Sequence, residues 1–381
     1  MESKIIAIIE RNFGRVENLS DYEQSVFEKI LHCRSEPVPF LFTRCDSCAA
    51  IHPVYKSCKD RMCPVCNGAA SVKWAAKRES EILSTGYFLL TYTVPSQLRP
   101  LFLANKKLCY GLLFKSVSRS LAEGVLKNDR EFHGIAGFFA MLHTWDQRLL
   151  YHPHLHVVIP AGCLSDDSTR WVDSNPSFFL PVKKMSADFR RKLLFYLRKE
   201  YKAGSLKIPE EIEDVEMLLR KLSDIPWVVH SQPPGQGRKN PEQIFRYLSR
   251  YVAKSAVSDK RIRKVENGMV SLSYYDRKKK QAKTEIITES QFMKRLILHF
   301  LPKGFKKVRF FGFMANRYRS NKLILCRMLL GQSIAEQEVS DKELLNDTAF
   351  LFWKYFGIDI TLCQKCGVGH IHYVRGHSGA G

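Results

Sequence analysis

Residues 149–162 read LLYHPHLHVVIPAG, and the way this stretch folds decides what the middle of the chain is. Its second half is β-branched and apolar, which favours a buried strand. In a strand, residues two apart share a face. His152, His154 and His156 therefore project together, while Leu155 turns the other way. Side by side, His154 and His156 can chelate one divalent cation, with His152 one step further out where the strand begins. The plainer reading is a pair of hydrogen-bonded polar side chains on a solvated face, and His-x-His by itself does not decide between them.

Working outward, GIAGFFAMLHTW (134–145) is a second strand-like run, and the polar DQRLL between the two runs makes a hairpin. GYFLLTYTVPSQLRP (86–100) reads as a further strand closed by Pro95, and 104–127 as helix. The stretch 163–230 changes texture several times: a turn-rich part, then a basic helix around ADFRRKLLFYLRKEYKAG, then WVVH. SQPPGQGRKNPEQ (231–243) is a loop by its Pro and Gly content. PEQIFRYLSRYVAKSAVS (241–258) places Pro241 at a helix start. It carries Tyr247 and Tyr251 four residues apart, so both hydroxyls lie on one helix face. Such a pair commonly packs into a core. This segment and the residues after it also carry Arg246, Arg250, Lys254, Lys260, Arg261 and Arg263, which is not core chemistry. MVSLSYYDRKKKQAKTEIIT (269–288) then reads as a hairpin tipped by Arg277, Lys278, Lys279 and Lys280.

Near the front, SDYEQSVFEKILHC is a helix with Ser20 and Glu23 as a capping box. CDSCAAIHPVYKSCKDRMCPVC follows, with Cys45, Cys48, Cys58, Cys63 and Cys66 plus His52. Two Cys-x-x-Cys turns of this kind present four thiolates to a tetrahedral Zn²⁺. Cys45, Cys48, Cys63 and Cys66 are the expected ligands of a structural site. Cys58 and His52 are spare, outer partners or replacements. A third Cys-x-x-Cys, Cys363 and Cys366, stands near the end of the chain, and His370 and His372 would complete a second zinc site there.

Of the 381 residues, 60 are Lys or Arg and 38 Asp or Glu, a formal charge of +22. A surplus this large calls for a polyanionic partner. With no basic amphipathic helix and no lipidation motif, nucleic acid is the expected partner and a membrane is not. No apolar run is long enough to span a bilayer and the first residues do not form a secretory signal, so a cytoplasmic location is expected. The eleven cysteines are then better suited to metal than to disulfides. Lys56, Lys59, Arg61, Lys73, Lys77 and Arg78 around the cysteine cluster suggest phosphate contacts.

Taken together, the motifs resemble a family. HPHLHVVIPAG is similar to the His-hydrophobe-His strand of HUH endonucleases. YLSRYVAKSAVSDKRI resembles the two-tyrosine helix of the HUH rolling-circle transposases of bacterial insertion sequences. SCKDRMCPVCNGAASVKWAAKR is similar to the zinc-binding domain that opens those transposases, and HFLPKGFKKVRFFGFMANRYR resembles their C-terminal portion. The resemblance runs from about residue 30 to 320, with the elements in the family's order.

What the resemblance implies is an enzyme that nicks and rejoins single-stranded DNA. Tyr247 and Tyr251 would be the nucleophiles, forming a 5′-phosphotyrosine. Mg²⁺ or Mn²⁺ would sit on His154 and His156. Gln147, on the far side of the hairpin, is the geometric choice for a third ligand, with Asp146 and His143 as rivals. Arg250, Lys254, Arg261, Lys278, Lys279 and Lys280 would contact DNA. The expected fold is α+β: a zinc-ribbon-like module, then a central antiparallel-sheet nuclease domain flanked by helices. The expected divisions are 1–84, then 85–265 with an insertion around 163–230, then a basic region over 266–381. Two other readings share some of these features. One is a plasmid replication initiator or relaxase, which the cysteine module disfavours. The other is a non-catalytic zinc-ribbon protein that binds nucleic acid.

Overall fold

The computed structural model describes residues 3–34, 41–66, 68–128, 132–175, 177, 179–234, 256–276, 279–332 and 347–374. They form two compact units, each assembled from segments distant in sequence. The described part of one unit comprises 3–77, 256–297 and 347–374, and that of the other 78–234 and 298–332. The basic C-terminal region, expected as a single piece over 266–381, therefore contributes to both. Among the described residues no helix is long and apolar enough to cross a membrane.

In the first unit, α1 (Lys4–Asn12) and α2 (Asp21–Leu31) pack through isoleucines, Val26 and Phe27. The capping box at Ser20 and Glu23 is present, each side chain bonding the other residue's backbone N–H. β1 (Leu41–Cys45) and β2 (Ile51–Val54) form a hairpin, and β13 (Ile371–Val374) adds to its free edge, with Cys45 opposite Ile371. In the same unit, α3 (Gly68–Glu79) packs Val72, Ala75 and Ala76 against Leu351 and Tyr355 of α10 (Thr348–Phe356). The remaining sheet is β9 (Ile262–Glu266), β10 (Met269–Asp276) and β11 (Gln281–Thr288). The β10–β11 hairpin pairs Asp276 with Gln281, with Lys279 and Lys280 of the expected basic tip in its turn, and α8 (Glu289–Leu298) follows it; Arg277 and Lys278 lie outside the described residues.

The second unit is built on a wholly antiparallel five-stranded sheet. Its strands are β3 (Tyr87–Thr93), β4 (Gly137–Trp145), β5 (Tyr151–Pro160), β8 (Val229–Gln232) and β12 (Val308–Gly312). In space the order is β12-β4-β5-β3-β8, so the histidine strand β5 is central. Alternation explains its two faces. Leu155, Val157 and Ile159 join Leu90, Tyr92, Phe138 and Leu142 in the main core, whereas His154 and His156 point the other way. Helices cover the apolar face: α4 (Arg99–Ala104), α5 (Lys106–Arg119), α6 (Val182–Lys202) and α7 (Val215–Asp224). On α6, Met185, Phe189, Leu193 and Leu197 recur every fourth residue and are all buried. It is thus a basic amphipathic helix, which the sequence reading did not expect, and its apolar stripe is taken up by the core rather than by a membrane.

Residues 163–230, expected as an insertion, contribute to this core. Beyond the small hairpin β6 (Gly162–Leu164) with β7 (Trp171–Asp173), they supply α6 and α7, which seal the core, and they lead into edge strand β8. The periodicity of α6 was readable, but which sheet it covers was not. The last helix of this unit is α9 (Arg319–Leu329).

Gly312 closes edge strand β12 with φ 59°, and a Cβ there would run into the Ala136 carbonyl. A left-handed backbone and an overlap with main chain each cost about 1–3 kcal/mol in a non-glycine residue. Gly312→Ala is therefore expected to destabilise this unit by about 3 kcal/mol. In a thermal melt that corresponds to a fall of roughly 6–12 °C in Tm for a domain of this size.

Candidate metal centres

Three groups of potential ligands come together among the described residues, each with its ligand atoms within 4.8 Å of one another. Two are sulfur clusters in the first unit, and the third is a histidine trio in the second.

The histidine trio is His143, His154 and His156. The hairpin register makes it: His143 on β4 stands opposite His154 on β5, and His156 is two residues on. Ring centroids are 4.5 Å apart for His143–His156, 4.9 Å for His154–His156 and 5.3 Å for His143–His154. His154 Nδ1 donates to the His152 carbonyl at 2.7 Å, which leaves Nε2 as its lone-pair nitrogen. His156 Nδ1 lies 3.1 Å from Thr91 Oγ1 on the neighbouring strand, an orienting contact of the kind that fixes a metal-ligating imidazole. Burial holds His143 well below its ordinary pKa, and the imidazoles of His156 and His154 and the Lys307 ammonium push the same way. It is therefore neutral at physiological pH, the form in which imidazole binds metal.

Gln147, expected as the third ligand, is exposed in the turn beyond the last pair, Trp145 and Tyr151. The residue that the sheet brings against the pair is the rival His143. Cross-strand pairing decides this, because a partner directly opposite is closer than one carried off in the turn. The rival Asp146 is occupied within that turn, accepting from the Arg148 and Leu150 N–H groups. His152 is engaged elsewhere, its Nδ1 accepting from Arg99 Nη2 at 2.9 Å.

His299 steadies the hairpin from beneath. Its Nε2 donates to the Leu149 carbonyl at 3.0 Å, and its Nδ1 accepts from Thr144 Oγ1 at 3.2 Å. Both ends of the turn are thereby held, including Leu149, whose φ is 60°. Burial lowers the His299 pKa from 6.5 to about 4. Above pH 6.5 neither the folded nor the unfolded chain is protonated there. Between 6.5 and 4 the unfolded chain takes up a proton that the folded one refuses, so stability falls as pH falls. The ceiling is about 3 kcal/mol at 1.36 kcal/mol per unit. His299→Asn should flatten that part of the pH dependence in urea titrations between pH 7 and 4.

The sulfur atoms are arranged differently from the expected single set. Cys45 and Cys48 belong to one cluster, with Cys363 and Cys366, and Cys63 and Cys66 to the other, with Cys33 and Cys58. Cys33 follows α2 and carries no spacing signal, so the sequence reading missed it. Its sulfur lies 3.0 Å from that of Cys66 and 3.8 Å from that of Cys63, and Cys58 is 3.5 Å from Cys66. The Arg34 N–H donates to the Lys56 carbonyl, joining the end of α2 to the segment that leads to Cys58. All eleven cysteines are free thiols. Four sulfurs per cluster suit Zn²⁺.

The expected partners of Cys363 and Cys366 also change. His370 Nδ1 is beside Thr361 and Asp359, and His372 pairs with Asp46, so neither joins the sulfur atoms. His52 Nε2 stands 3.3 Å from Cys363 Sγ, as an outer partner of that cluster.

Of the expected DNA contacts, Lys279 and Lys280 are exposed in the β10–β11 turn. Arg261 directs Nε to the Ser273 carbonyl. Arg78 is not a surface contact: it is 4 % exposed, pairs with Glu81 and lies over the Phe310 ring. Tyr247, Tyr251, Arg250, Lys254 and Lys278 lie outside the described residues.

Comparison with known proteins adds a family to this geometry. A family model described as "Putative transposase" matches residues 137–322, and one described as "Transposase zinc-binding domain" matches residues 5–94. The chain is 36% identical over 379 residues to "Putative transposase y4qJ" of Sinorhizobium fredii, covering 96% of this chain and 94% of that one. It is 26% identical over 312 residues to the transposase for insertion sequence element IS801 of Pseudomonas savastanoi pv. phaseolicola, covering 78% of this chain and 72% of the other. No solved structure matches it.

Proposed function

Because the chain belongs to the IS91/IS801 family of transposases, whose substrate is DNA, we propose that it nicks and rejoins single-stranded DNA through a tyrosine-bound intermediate on an HUH nuclease fold. The observation that carries this reading is the convergence of three imidazoles, His143, His154 and His156, on the two middle strands of an antiparallel sheet. Imidazoles together with oxygen donors from phosphate and water would suit Mn²⁺ and, less closely, Mg²⁺. A divalent ion bound there would polarise the scissile phosphate and offset its developing charge.

The chain's own residues carry the remaining roles. Thr91 and the His152 carbonyl orient the rings of His156 and His154, and His299 holds the turn that joins their strands. Tyr247 or Tyr251 attacks the phosphorus. The new bond is tyrosine oxygen to phosphorus, and the broken bond is phosphorus to the 3′ oxygen. The phenol gives up its proton and the leaving oxygen gains one, so a 5′-phosphotyrosine and a free 3′-OH result. One phosphodiester replaces another, so rejoining by attack of a 3′-OH needs no external energy source. Two tyrosines permit two successive transfers, one at the donor end and one at the target. Arg250, Lys254, Arg261, Lys278, Lys279 and Lys280 contact phosphates along the strand, and the net charge of +22 favours the encounter.

Covalent capture tests the proposal. Purified protein is mixed with labelled single-stranded oligonucleotides drawn from the DNA flanking its own gene, with Mg²⁺ or Mn²⁺, and run on a denaturing gel. A protein–DNA adduct that requires the divalent ion is expected. Tight single-strand binding with no adduct under any of these conditions would overturn the reading and leave a non-catalytic zinc-dependent DNA-binding protein.

A further inference from the structure

The second sulfur cluster joins two parts of the chain more than three hundred residues apart, and the matched zinc-binding domain, residues 5–94, contains only half of it. We propose that Cys45, Cys48, Cys363 and Cys366 bind a second structural Zn²⁺, which clips the C-terminal segment into the N-terminal zinc domain.

The distances fit a tetrathiolate centre. Tetrahedral zinc with Zn–S bonds of about 2.3 Å places its sulfurs about 3.8 Å apart. Cys45 Sγ lies 3.8 Å from Cys366 Sγ, and Cys48 Sγ lies 3.8 Å from Cys363 Sγ. Each crossing pair takes one sulfur from each Cys-x-x-Cys turn, so neither turn completes the set without the other.

The two turns are also built alike, which a chance meeting of thiols would not require. In each, the residue after the second cysteine has a left-handed backbone: Ala49 at φ 56° and Gly367 at φ 70°. In each, that residue's N–H donates to the carbonyl of the first cysteine, at 3.1 Å for Ala49 to Cys45 and 2.9 Å for Gly367 to Cys363. Four thiolates on one Zn²⁺ carry a net double negative charge, and nearby donors offset it. The Cys48 N–H points at Cys45 Sγ, the Gly369 N–H at Cys366 Sγ and His52 Nε2 at Cys363 Sγ, all within 3.5 Å. Gly369 packs closely on the first turn: a Cβ there would come within 2.6 Å of Ser47 Oγ, Asp46 Oδ1 and Cys45 Sγ, so these side chains would have to shift.

Backbone pairing also holds the two turns against each other. β13 pairs with β1 from Phe42 to Cys45, and Asp46 and His370 continue the contact, with the Asp46 N–H donating to the His370 carbonyl and the His370 N–H to Asp46 Oδ1. On the same segment, α10 packs Leu351 and Tyr355 onto α3. Residues 347–374 are thus packed onto the zinc domain, and zinc locks them there. This inference stands whether or not the nuclease chemistry does.

Metal content of the full chain tests it, in a His154→Ala/His156→Ala background so that the imidazole trio adds no metal. Protein purified without chelator should hold two Zn²⁺ per chain by inductively coupled plasma mass spectrometry. Cys363→Ser/Cys366→Ser should reduce this to one, and Cys33→Ser/Cys58→Ser should remove the other. If the double variants do not fold, Cys366→His decides. It should keep two metals, and after Co²⁺ substitution the sulfur-to-cobalt charge-transfer intensity should fall because one of eight thiolates is gone. A parent holding one Zn²⁺, a folded Cys363→Ser/Cys366→Ser chain still holding two, or a Cys366→His chain with unchanged charge transfer would overturn the proposal. So would Cys45–Cys366 or Cys48–Cys363 disulfides in non-reducing peptide maps.

Discussion

Changing Tyr247 and Tyr251 together to Phe should abolish the covalent adduct while leaving single-strand binding within about a few-fold of the parent. Phenylalanine keeps the ring, and with it base stacking and packing, but removes the hydroxyl oxygen proposed to bond phosphorus. Loss of a nucleophile costs on the order of 10³-fold or more in rate, and here no neighbouring group of the pair remains to substitute. The single variants carry separate information. If the tyrosines act in succession, one single variant should lose the first nick and the other should nick but fail to complete strand transfer. Equal adduct yield in the double variant and the parent would remove the tyrosine mechanism altogether. Loss of binding along with the adduct would instead assign the pair a packing role.

The second large effect concerns the histidine trio. His154→Ala/His156→Ala should cut adduct formation by on the order of 10³-fold, the equivalent of several kcal/mol of lost charge stabilisation. The discriminating comparison is His143→Ala against Gln147→Ala. His143 is buried against both other rings, whereas Gln147 is exposed in the turn. His143→Ala should raise the Mn²⁺ concentration needed for half-maximal adduct at least 10-fold, with excess Mn²⁺ restoring part of the yield. Gln147→Ala should change it little. The reverse outcome would return Gln147 to the ligand set. Thr91→Val, which removes the oxygen beside His156 Nδ1 and keeps the shape, should produce a shift of roughly 10–100-fold, as loss of an orienting partner does.

Much of the centre was readable along the chain. The alternation of His154, Leu155 and His156 specifies which side chains share a face, because strand geometry has a period of two. The 134–162 hairpin, the capping box at Ser20 and Glu23 and the basic 269–288 hairpin follow from local chemistry in the same way, and the structure contains each of them. The positive charge needs no fold at all to imply a polyanion. Zinc itself was legible, since clustered Cys-x-x-Cys turns have few other uses in a chain without disulfides.

What the sequence by itself determined was therefore local: which stretches are strands and helices, which residues share a face, and which chemistries are present. Tertiary structure decided the pairings. Cys45 and Cys48 lie closer in sequence to Cys63 and Cys66 than to Cys363 and Cys366, yet β1 pairs with β13 and carries them to the latter. Cys33 joins the other cluster because α2 ends beside the segment before Cys58. His143, not Gln147, stands with His154 because the β4–β5 register puts it directly opposite. The physical reason is common to all three. A metal site needs its ligands within a few ångströms of one point, and a spacing rule reports such closeness only when one turn supplies them. When strand pairing and helix packing bring the ligands together, the information lies in which apolar faces bury one another, and that is set by the whole chain at once.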